Sequence, residues 1–251
     1  MSGTVYLVGA GPGATDLLTV RAARLLGEAN IVFHDALVPA DILALAARAE
    51  TVAVGKRCGR HSTAQRFINK RLADAAKVHR IVVRLKSGDP MLFGRAQEEL
   101  DYLRARAIPV EIVPGVTAAL AAAAHAGVSL TQRGLARSVA FVTPRVGDGA
   151  APSSWHDVVL AADTAAIYMG AGDAASTAQS LIAAGKRAST PVLVIESASQ
   201  ASAKVLSGTL AELPSLSAQL GAGPAVILLG EVLRPVVAVA QRPTRRKAQA
   251  R

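Results

Sequence analysis

Short apolar runs alternate with helix-like stretches along the first half of this chain. Five runs rich in β-branched residues predict buried strands, at Val5 to Val8, Ile31 to Phe33, Val52 to Val54, Ile81 to Leu85 and Val110 to Val113. Helical patterns lie between them, at Asp16 to Glu28, Asp41 to Arg48, Thr63 to Lys77 and Arg95 to Arg106. This alternation is typical of a parallel sheet with crossover helices, so it predicts an α/β fold.

A second series of strand-like runs follows the break at Pro114-Gly115. These runs are Val139 to Val142, Ala165 to Met169, Val192 to Ile195, Val205 to Leu206 and Val226 to Leu229. Helices are predicted from Thr117 to Ala126 and from Asp173 to Ala184. We therefore expect two α/β domains, residues 1–115 and 116–240, each with a central sheet of roughly five strands. The basic tail, residues 241–251, is expected to be disordered.

Composition and charge restrict the class of protein. The net charge of +10 indicates a polyanionic partner, which could be nucleic acid, an acidic membrane surface or a small molecule rich in carboxylates. No aromatic residues are interleaved with the basic ones, so nucleic acid is not expected. No apolar stretch approaches the length of about 20 residues that a membrane span needs, and no signal peptide is recognised. With Cys58 as the only cysteine and five isolated histidines, we expect a cytoplasmic protein without a metal site.

The glycine-rich loop after the first strand allows more than one interpretation. Gly9-Ala10-Gly11-Pro12-Gly13-Ala14 has the letter pattern of a dinucleotide-binding loop, and Asp35 follows the second strand, where a ribose-binding acid would lie. Pro12 argues against a pyrophosphate cradle, because proline has no N–H group to offer. A tight structural turn, a dinucleotide loop and another small-molecule site all stay open from this loop alone.

Further motifs give the chain a family resemblance. In order, they are Gly9 to Gly13, Asp16-Leu17-Leu18-Thr19, His34-Asp35-Ala36-Leu37-Val38, Gly55 to His61, Gln65 with Ile68-Asn69, Arg84-Leu85-Lys86-Ser87-Gly88-Asp89-Pro90, Phe93-Gly94-Arg95, Val113 to Ala118, Ala126-Gly127-Val128, Leu130-Thr131, Arg133-Gly134, Tyr168-Met169-Gly170 and Pro224-Ala225. Their order and spacing resemble the tetrapyrrole methyltransferases over nearly the whole chain.

The resemblance implies a fold and a cofactor. It implies two α/β domains with a cofactor cleft between them, which is the tetrapyrrole methylase fold, and a homodimer that binds S-adenosylmethionine. The implied cofactor contacts are Pro12, Ser87, Gly88, Asp89, Thr117, Ala118, Met169, Ala198 and Ala225. A sulfonium with an amino acid tail needs a carboxylate and closely approaching main chain, which Asp89 and the small residues would supply.

The resemblance also implies a reaction and its residues. The most similar branch methylates uroporphyrinogen III twice, at C2 and C7, giving precorrin-2 for siroheme or cobalamin synthesis. By resemblance, Asp35 is the proton acceptor and Lys56 the proton donor, although Asp35 could instead cap a loop and Lys56 could instead bind a substrate carboxylate. The carboxylates of this substrate are expected to bind Arg57, Arg60, His61, Arg84, Arg95 or Arg133.

The chain departs from the family pattern in a few places. Ser87 stands where glycine is usual, Ala14-Thr15 where Asp-Pro is common, Ala96-Gln97 where two glycines are frequent, and Gln132 where histidine is usual. These changes affect substrate contacts more than cofactor contacts, so a later precorrin C-methyltransferase is the first alternative. A nucleotide-binding module with a basic interaction face is the second.

Overall fold

The computed structural model describes residues 3–55, 65–146 and 153–240, with the backbone alone for residues 239 and 240. The chain divides into two compact units, Met1–Ala121 and Ala122–Arg251. This division falls within a helix, Ala118–His125, whereas the sequence predicts the boundary just before that helix, at Gly115.

The first unit contains a parallel sheet of five strands in the order β3-β2-β4-β1-β5. The strands are β1 (Thr4–Gly9), β2 (Ile31–His34), β3 (Glu50–Ala53), β4 (Ile81–Lys86) and β5 (Val110–Val113). Every neighbouring pair of these strands is parallel. The predicted parallel α/β arrangement of the first half is therefore confirmed, and all five strands end at the same edge of the sheet.

Helices cover both faces of this sheet. They are α1 (Val20–Glu28), α2 (Ala40–Leu43), α3 (Gln65–Val78) and α4 (Ala96–Arg104). The next helix, α5 (Ala118–His125), contains the division between the two units. On one face, α3 and α4 bury Leu72, Leu100 and Leu103 against β1. On the other face, α1 and α2 bury their apolar residues against the remaining side chains of the same strands. Burial on both faces explains the continuous apolar runs of β1 and β2 and of the first half of β4, whereas β3, at the edge of the sheet, is mostly exposed.

The second unit contains a mixed sheet, in the order β6-β7-β10-β8-β9. The strands are β6 (Val139–Val142), β7 (Thr164–Tyr168), β8 (Pro191–Glu196), β9 (Lys204–Thr209) and β10 (Ala225–Gly230). Only β6 and β7 pair in parallel, and the other three pairs are antiparallel. The helices are α6 (Trp155–Ala161), α7 (Ala174–Ala183), α8 (Leu213–Ser217) and α9 (Arg234–Ala240). Among the described residues, no helix is long and apolar enough to cross a bilayer.

Candidate active site

Three loops meet where three neighbouring strands of the first sheet end. They follow β4, β1 and β5, which are neighbours in the sheet. A Cβ atom added to Gly115 would lie 2.4 Å from the carbonyl oxygen of Gly88 and 2.9 Å from the α-carbon of Gly9. The three loops therefore pack backbone against backbone, which only glycine allows at these positions.

Hydrogen bonds join the glycine-rich loop after β1 to the loop after β4. The N–H of Gly88 donates to the carbonyl of Gly11 at 2.8 Å, and the N–H of Gly11 donates back at 3.2 Å. Both glycines have positive φ, +68° at Gly11 and +69° at Gly88. Because the N–H of Gly11 is already bonded within the protein, this loop does not form the open cradle of N–H groups that a pyrophosphate needs.

Asp89 fastens the loop after β4 to the loop after β5. One carboxylate oxygen accepts the N–H of Met91 at 2.8 Å, and the other accepts the N–H of Gly115 at 2.9 Å. Each oxygen has a second lone pair, so these bonds leave Asp89 able to accept a ligand donor. Its predicted contact with the cofactor stays a prediction.

The predicted cofactor residues fall on two sheet edges, one in each unit. In the first unit, they all follow β1, β4 or β5, and they are Pro12, Ser87, Gly88, Asp89, Thr117 and Ala118. In the second unit, Met169 directly follows β7, Ala198 lies just after β8, and Ala225 is the first residue of β10. The antiparallel register pairs Ala225 with the last residue of β8 and its neighbour with the last residue of β7, so these three residues share one edge.

A pocket of about 220 Å³ lies within the first unit, beside the loop that follows β2. Its lining combines apolar and charged residues: Asp35, Val54, Gly55, Gln65, Ile68, Arg84, Lys86, Phe93, Gly94 and Arg95. Ligand sites in open α/β sheets lie outside the carboxyl ends of the strands, and this pocket has that position.

Four charged side chains form an ion network at this pocket: Asp35, Arg84, Lys86 and Glu99. Arg84 and Lys86 alternate with Leu85 on β4, so they project from the same face of the sheet. The fully buried Glu99 accepts Nε of Arg84 at 3.0 Å and Nζ of Lys86 at 3.0 Å. Nη2 of Arg84 also donates to Oδ1 of Asp35 at 2.5 Å. The network contains two cations and two anions, which makes burial of its charges tolerable.

The charges in the ion network shift the pKa values of its basic members. Burial acts to lower the pKa of Arg84, but the charges of Asp35 and Glu99 outweigh burial and raise that pKa. For Lys86, burial is the main cause of a lowered pKa; the charge of Arg84 adds to it and Glu99 opposes it. Arg84 therefore stays charged, and its Nη2 donates to one oxygen of Asp35 in this structure.

Asp35 has the exposure that a reacting carboxylate needs. Its side chain is 30% exposed, whereas that of Arg84 is 4% exposed. Among the described residues, its side chain accepts no backbone N–H, so the alternative of a loop-capping role finds no support there. Oδ2 has no hydrogen-bond partner in the same part of the chain, while Oδ1 accepts from Arg84.

The predicted substrate-binding residues have different environments. Arg84 is buried in the ion network, and Arg95 lines the pocket and donates from Nε and Nη2 to Glu98 at 2.7 and 2.8 Å. Arg133 is exposed and belongs to the second unit, in a turn closed by mutual backbone bonds between Gln132 and Ala136. Four further predicted residues, Lys56, Arg57, Arg60 and His61, lie outside the described residues.

The segment between β4 and α4 has an unusual backbone beside the pocket. Phe93 and Arg95 have positive φ, at 53° and 55°. A Cβ atom on Gly94, between them, would lie 2.6 Å from the carbonyl oxygen of Pro90. Left-handed conformations at residues other than glycine cost free energy, and such strain is concentrated at functional sites.

Three members of this site have no role predicted from the sequence: Gln65, Lys86 and Glu99. Gln65 and Lys86 lie within the motifs of the family resemblance, but Glu99 does not. A signal for two of them is present in the sequence. Two cations on alternate positions of a buried apolar strand require a buried anion, and Glu99 stands next to Leu100 on the apolar face of the following helix. Which carboxylate pairs with the two cations depends on how α4 packs on β4, and this packing cannot be read from the sequence pattern.

The fold and the pocket together define an α/β protein with a charged pocket at the carboxyl edge of its parallel sheet, and the bonded glycine loop argues against a dinucleotide-binding domain. Comparison with known proteins identifies the family. The family model described as tetrapyrrole (corrin/porphyrin) methylases matches residues 4–214. The chain therefore belongs to the tetrapyrrole (corrin/porphyrin) methylase family.

Curated relatives are similar over most of this chain. The siroheme synthase of Pseudomonas fluorescens strain Pf0-1 is 46% identical over 235 residues, which are 93% of this chain and 51% of the relative. The siroheme synthase of Chromobacterium violaceum is 45% identical over 234 residues, 92% of this chain and 50% of the relative. The chain spans about half the length of the curated relatives it matches.

Solved structures are similar in fold as well as in sequence. Uroporphyrin-III C-methyl transferase from Thermus thermophilus, complexed with S-adenyl homocysteine, matches with a TM-score of 0.81 and 40% identity, over 93% of this chain and 100% of that one. A cobalamin biosynthetic enzyme, cobalt precorrin-4 methyltransferase, matches with a TM-score of 0.81 and 30% identity, over 92% of this chain and 95% of that one.

These matches decide several predictions from the sequence. The family, the two-sheet α/β fold and the methyltransferase class of enzyme are confirmed. The alternative of a nucleotide-binding module is thereby set aside. Among the described residues, no cluster of His, Cys, Asp or Glu side chains could hold a metal ion.

Proposed function

We propose that this chain is an S-adenosylmethionine-dependent C-methyltransferase that acts on uroporphyrinogen III. It transfers two methyl groups in succession, to C2 and C7, and the product is precorrin-2. The observation that carries the proposal is the pocket in which Asp35, held by Arg84, faces solvent at the carboxyl edge of the parallel sheet. The similar Thermus structure is a uroporphyrin-III C-methyl transferase, and the curated relatives are siroheme synthases.

S-adenosylmethionine is the methyl donor, and it supplies an electrophilic methyl group when it is bound. Support comes from the Thermus enzyme, which binds S-adenyl homocysteine and is matched over its whole length. The packing of Gly9 and Gly115 against the backbone of Gly88 brings together the loops after β1, β4 and β5, on which the proposed cofactor contacts of the first unit lie. The predicted cofactor contacts on the two sheet edges stay proposals.

The residues of the pocket divide the remaining work. Asp35 accepts the proton that the ring loses after methylation, and its Oδ2 is the available oxygen among the described contacts. Arg84 positions Asp35 through Oδ1 and is itself held by Glu99. Orientation of this kind replaces a costly search for the reactive geometry. Lys56 is proposed as the proton donor.

A later precorrin C-methyltransferase is the second candidate. It is favoured by the match to cobalt precorrin-4 methyltransferase and by the departures at Ser87, Ala96-Gln97 and Gln132. The identity to that enzyme is 30%, compared with 40% for the Thermus enzyme. Uroporphyrinogen III is therefore the substrate to test first.

The assembly and location of the protein are proposed on the same basis. We expect a homodimer in the cytoplasm, and a product that feeds siroheme or cobalamin synthesis. Sedimentation of the purified protein over a range of concentrations would test the dimer.

The experiment that tests the function is an anaerobic assay with S-adenosylmethionine and uroporphyrinogen III, in which mass spectrometry follows the addition of methyl groups. Asp35→Asn is assayed in parallel, because it keeps the shape of the side chain and removes its charge. Asp41→Asn is the matched control, since Asp41 is exposed on α2 and its substitution removes one carboxylate charge close in sequence to Asp35.

The expected results separate the reaction from the residue. Wild type and Asp41→Asn should add two methyl groups. Asp35→Asn should bind S-adenosylhomocysteine with unchanged affinity by calorimetry, yet lose about 100- to 10,000-fold in kcat. An Asp35→Asn enzyme with the wild-type rate would remove Asp35 from the mechanism. A wild-type enzyme that bound S-adenosylhomocysteine but added no methyl group would direct the search to later precorrins.

A further inference from the structure

The amide of Gln65 is held in one orientation by its neighbours. Gln65 is the first residue of α3 and lines the pocket. Its Nε2 donates to Oδ1 of Asn69 at 2.9 Å and to Oε1 of Glu99 at 3.1 Å. Asn69 is fixed in turn, because its Nδ2 donates to the backbone carbonyl of Glu98 at 3.2 Å. Both N–H groups of the Gln65 amide are therefore used inside the protein.

The reverse orientation of this amide is unfavourable. A flip would place Oε1 of Gln65 against two oxygen atoms that can only accept, the amide oxygen of Asn69 and the carboxylate of Glu99. The flip would also take from Oδ1 of the buried Asn69 the donor that Gln65 gives it, and such a loss is costly at low dielectric. Glu99 would keep its donors from Arg84 and Lys86. Burial of Asn69 and Glu99 thus determines which end of Gln65 is left for a ligand.

The end of the Gln65 amide that is left for a ligand is its oxygen, Oε1, which is a hydrogen-bond acceptor. Among the described residues, Oε1 of Gln65 has no hydrogen-bond partner, and the buried side-chain atoms without a partner in that part of the chain are Thr164 Oγ1 and Ser217 Oγ. Oε1 of Gln65 is therefore not sealed in the core, and it belongs to a residue that lines the pocket.

The other polar groups of the pocket are mainly donors. Arg84, Lys86 and Arg95 offer N–H groups, and Asp35 and Gln65 offer the acceptors. Arginine and lysine recognise the carboxylates of a tetrapyrrole, but a reduced ring and its oxidised porphyrin bear the same carboxylates. The two rings differ at nitrogen: every pyrrole of a porphyrinogen carries N–H, whereas the porphyrin has bare nitrogen acceptors in place of half of these donors.

We propose that Gln65 is a specificity-determining residue whose Oε1 accepts a hydrogen bond from a pyrrole N–H, so that the pocket prefers the reduced macrocycle. This inference rests on the proposed function, since it takes a porphyrinogen as the ligand. Asn69 and Glu99 act as positioning residues for the amide. The tetrahedral bridges of a porphyrinogen let a pyrrole tilt and turn its N–H toward this acceptor. The two N–H groups that a planar porphyrin keeps point to the ring centre, so the acceptor meets no donor there and is left unpaired.

The test measures equilibrium binding, so that it does not depend on turnover. Under anaerobic conditions with saturating S-adenosylhomocysteine, uroporphyrin III is titrated by fluorescence, and uroporphyrinogen III is titrated by competition against it. Gln65→Met removes the acceptor at similar size. Gln65→Lys also removes the acceptor, but it keeps a donor for Asn69 and Glu99. Gln219→Met, on the exposed surface of the second unit, is the matched control.

The expected result is a change in the ratio of the two dissociation constants. Wild type and Gln219→Met should prefer uroporphyrinogen III, and both Gln65 variants should lose about 3- to 10-fold of this preference, the loss expected for one hydrogen bond. The ratio cancels any general effect of the added lysine charge on carboxylate binding. A merely structural role would weaken both ligands together.

Three outcomes would count against the inference or separate it from the proposed reaction. An unchanged ratio in both Gln65 variants would overturn the inference and leave the proposed function intact. A wild-type protein without preference between the two rings would also overturn it. A wild-type protein that prefers the reduced ring through Gln65, yet adds no methyl group to it, would support the inference and overturn the proposed reaction.

Discussion

Gly115→Ala is the substitution that most directly tests how the loops after β1, β4 and β5 pack against one another. The added Cβ would lie 2.4 Å from the carbonyl oxygen of Gly88, and 2.9 and 3.1 Å from the α-carbon and the carbonyl carbon of Gly9. All three atoms belong to backbone, so no side-chain rotation relieves the overlap. The loops after β1, β4 and β5 would have to separate, and these loops bear the predicted cofactor contacts of the first unit.

The contacts of the added Cβ give the expected loss of stability, and a second glycine offers a matched control. Overpacking of this kind costs about 1–3 kcal/mol, and contacts with backbone favour the upper part of that range. For a chain of this length, about 2–3 kcal/mol corresponds to a fall in Tm of about 4–12 °C. Gly27→Ala is the matched control: Gly27 lies in α1, and no atom lies within 4 Å of its added Cβ. That control should gain about 0.5–1 kcal/mol from helix propensity.

Thermal unfolding and calorimetry with S-adenosylhomocysteine would measure the two consequences. Gly115→Ala should lower Tm and weaken the binding of S-adenosylhomocysteine about tenfold. This corresponds to a loss of about 1.4 kcal/mol in binding free energy. Gly27→Ala should raise Tm and leave binding unchanged. If Gly115→Ala matched wild type in both Tm and affinity, the three loops would not be packed as argued. The proposed role of these loops in cofactor binding would then also be contradicted.

Two further predictions concern charged groups. Glu99→Gln should destabilise the protein by about 3–5 kcal/mol in urea unfolding, because Arg84 and Lys86 lose their buried anion. The double variant Lys86→Met/Glu99→Met should lose much less stability, because it removes one cation together with the anion. Equal losses of stability in the two variants would refute the ion network as described. The pKa of Asp163 is lowered from 3.8, mainly by the backbone N–H of Arg137 and then by the hydroxyl and N–H of Ser138. The ionised carboxylate of Asp163 therefore stabilises the fold at pH values above about 3.8. Its contribution is lost as the pH falls below about 3.8, so Asp163→Asn should flatten the acid limb of the Tm profile, and an unaltered limb would contradict this assignment.

The first sheet was predictable because its signal is local. Each strand of the first half is a short apolar run between helical patterns, and both faces of the sheet are buried, so the strands β1 and β4 are unmistakable in the sequence. The boundaries were less well predicted. The predicted helix begins at Asp16, but a short 3₁₀ turn, Thr15–Leu17, stands there, and α1 begins only at Val20. Thr19 caps α1 by accepting the N–H of Ala22.

The strand directions of the second sheet were not predicted, although every strand was located. The connection between β8 and β9, residues 197–203, is too short for a crossover helix and therefore forces an antiparallel pair. Strand β10 lies between β7 and β8 and is antiparallel to both. Order of this kind depends on packing between elements distant in sequence, which apolar periodicity does not encode.

The charge balance of the pocket indicates where substrate recognition has to come from. The ion network is neutral as a whole, and Arg95 is paired with Glu98, so the described lining offers little uncompensated positive charge to a ligand rich in carboxylates. The chain nevertheless has a net charge of +10. Two lining residues, Gly55 and Gln65, are the ends of the sequence that contains four of the predicted substrate and catalytic residues. In the function proposed above, the ion network positions the carboxylate of Asp35. We expect the positive charge that attracts the substrate to come from other residues, first among them the basic residues between Gly55 and Gln65 in the sequence.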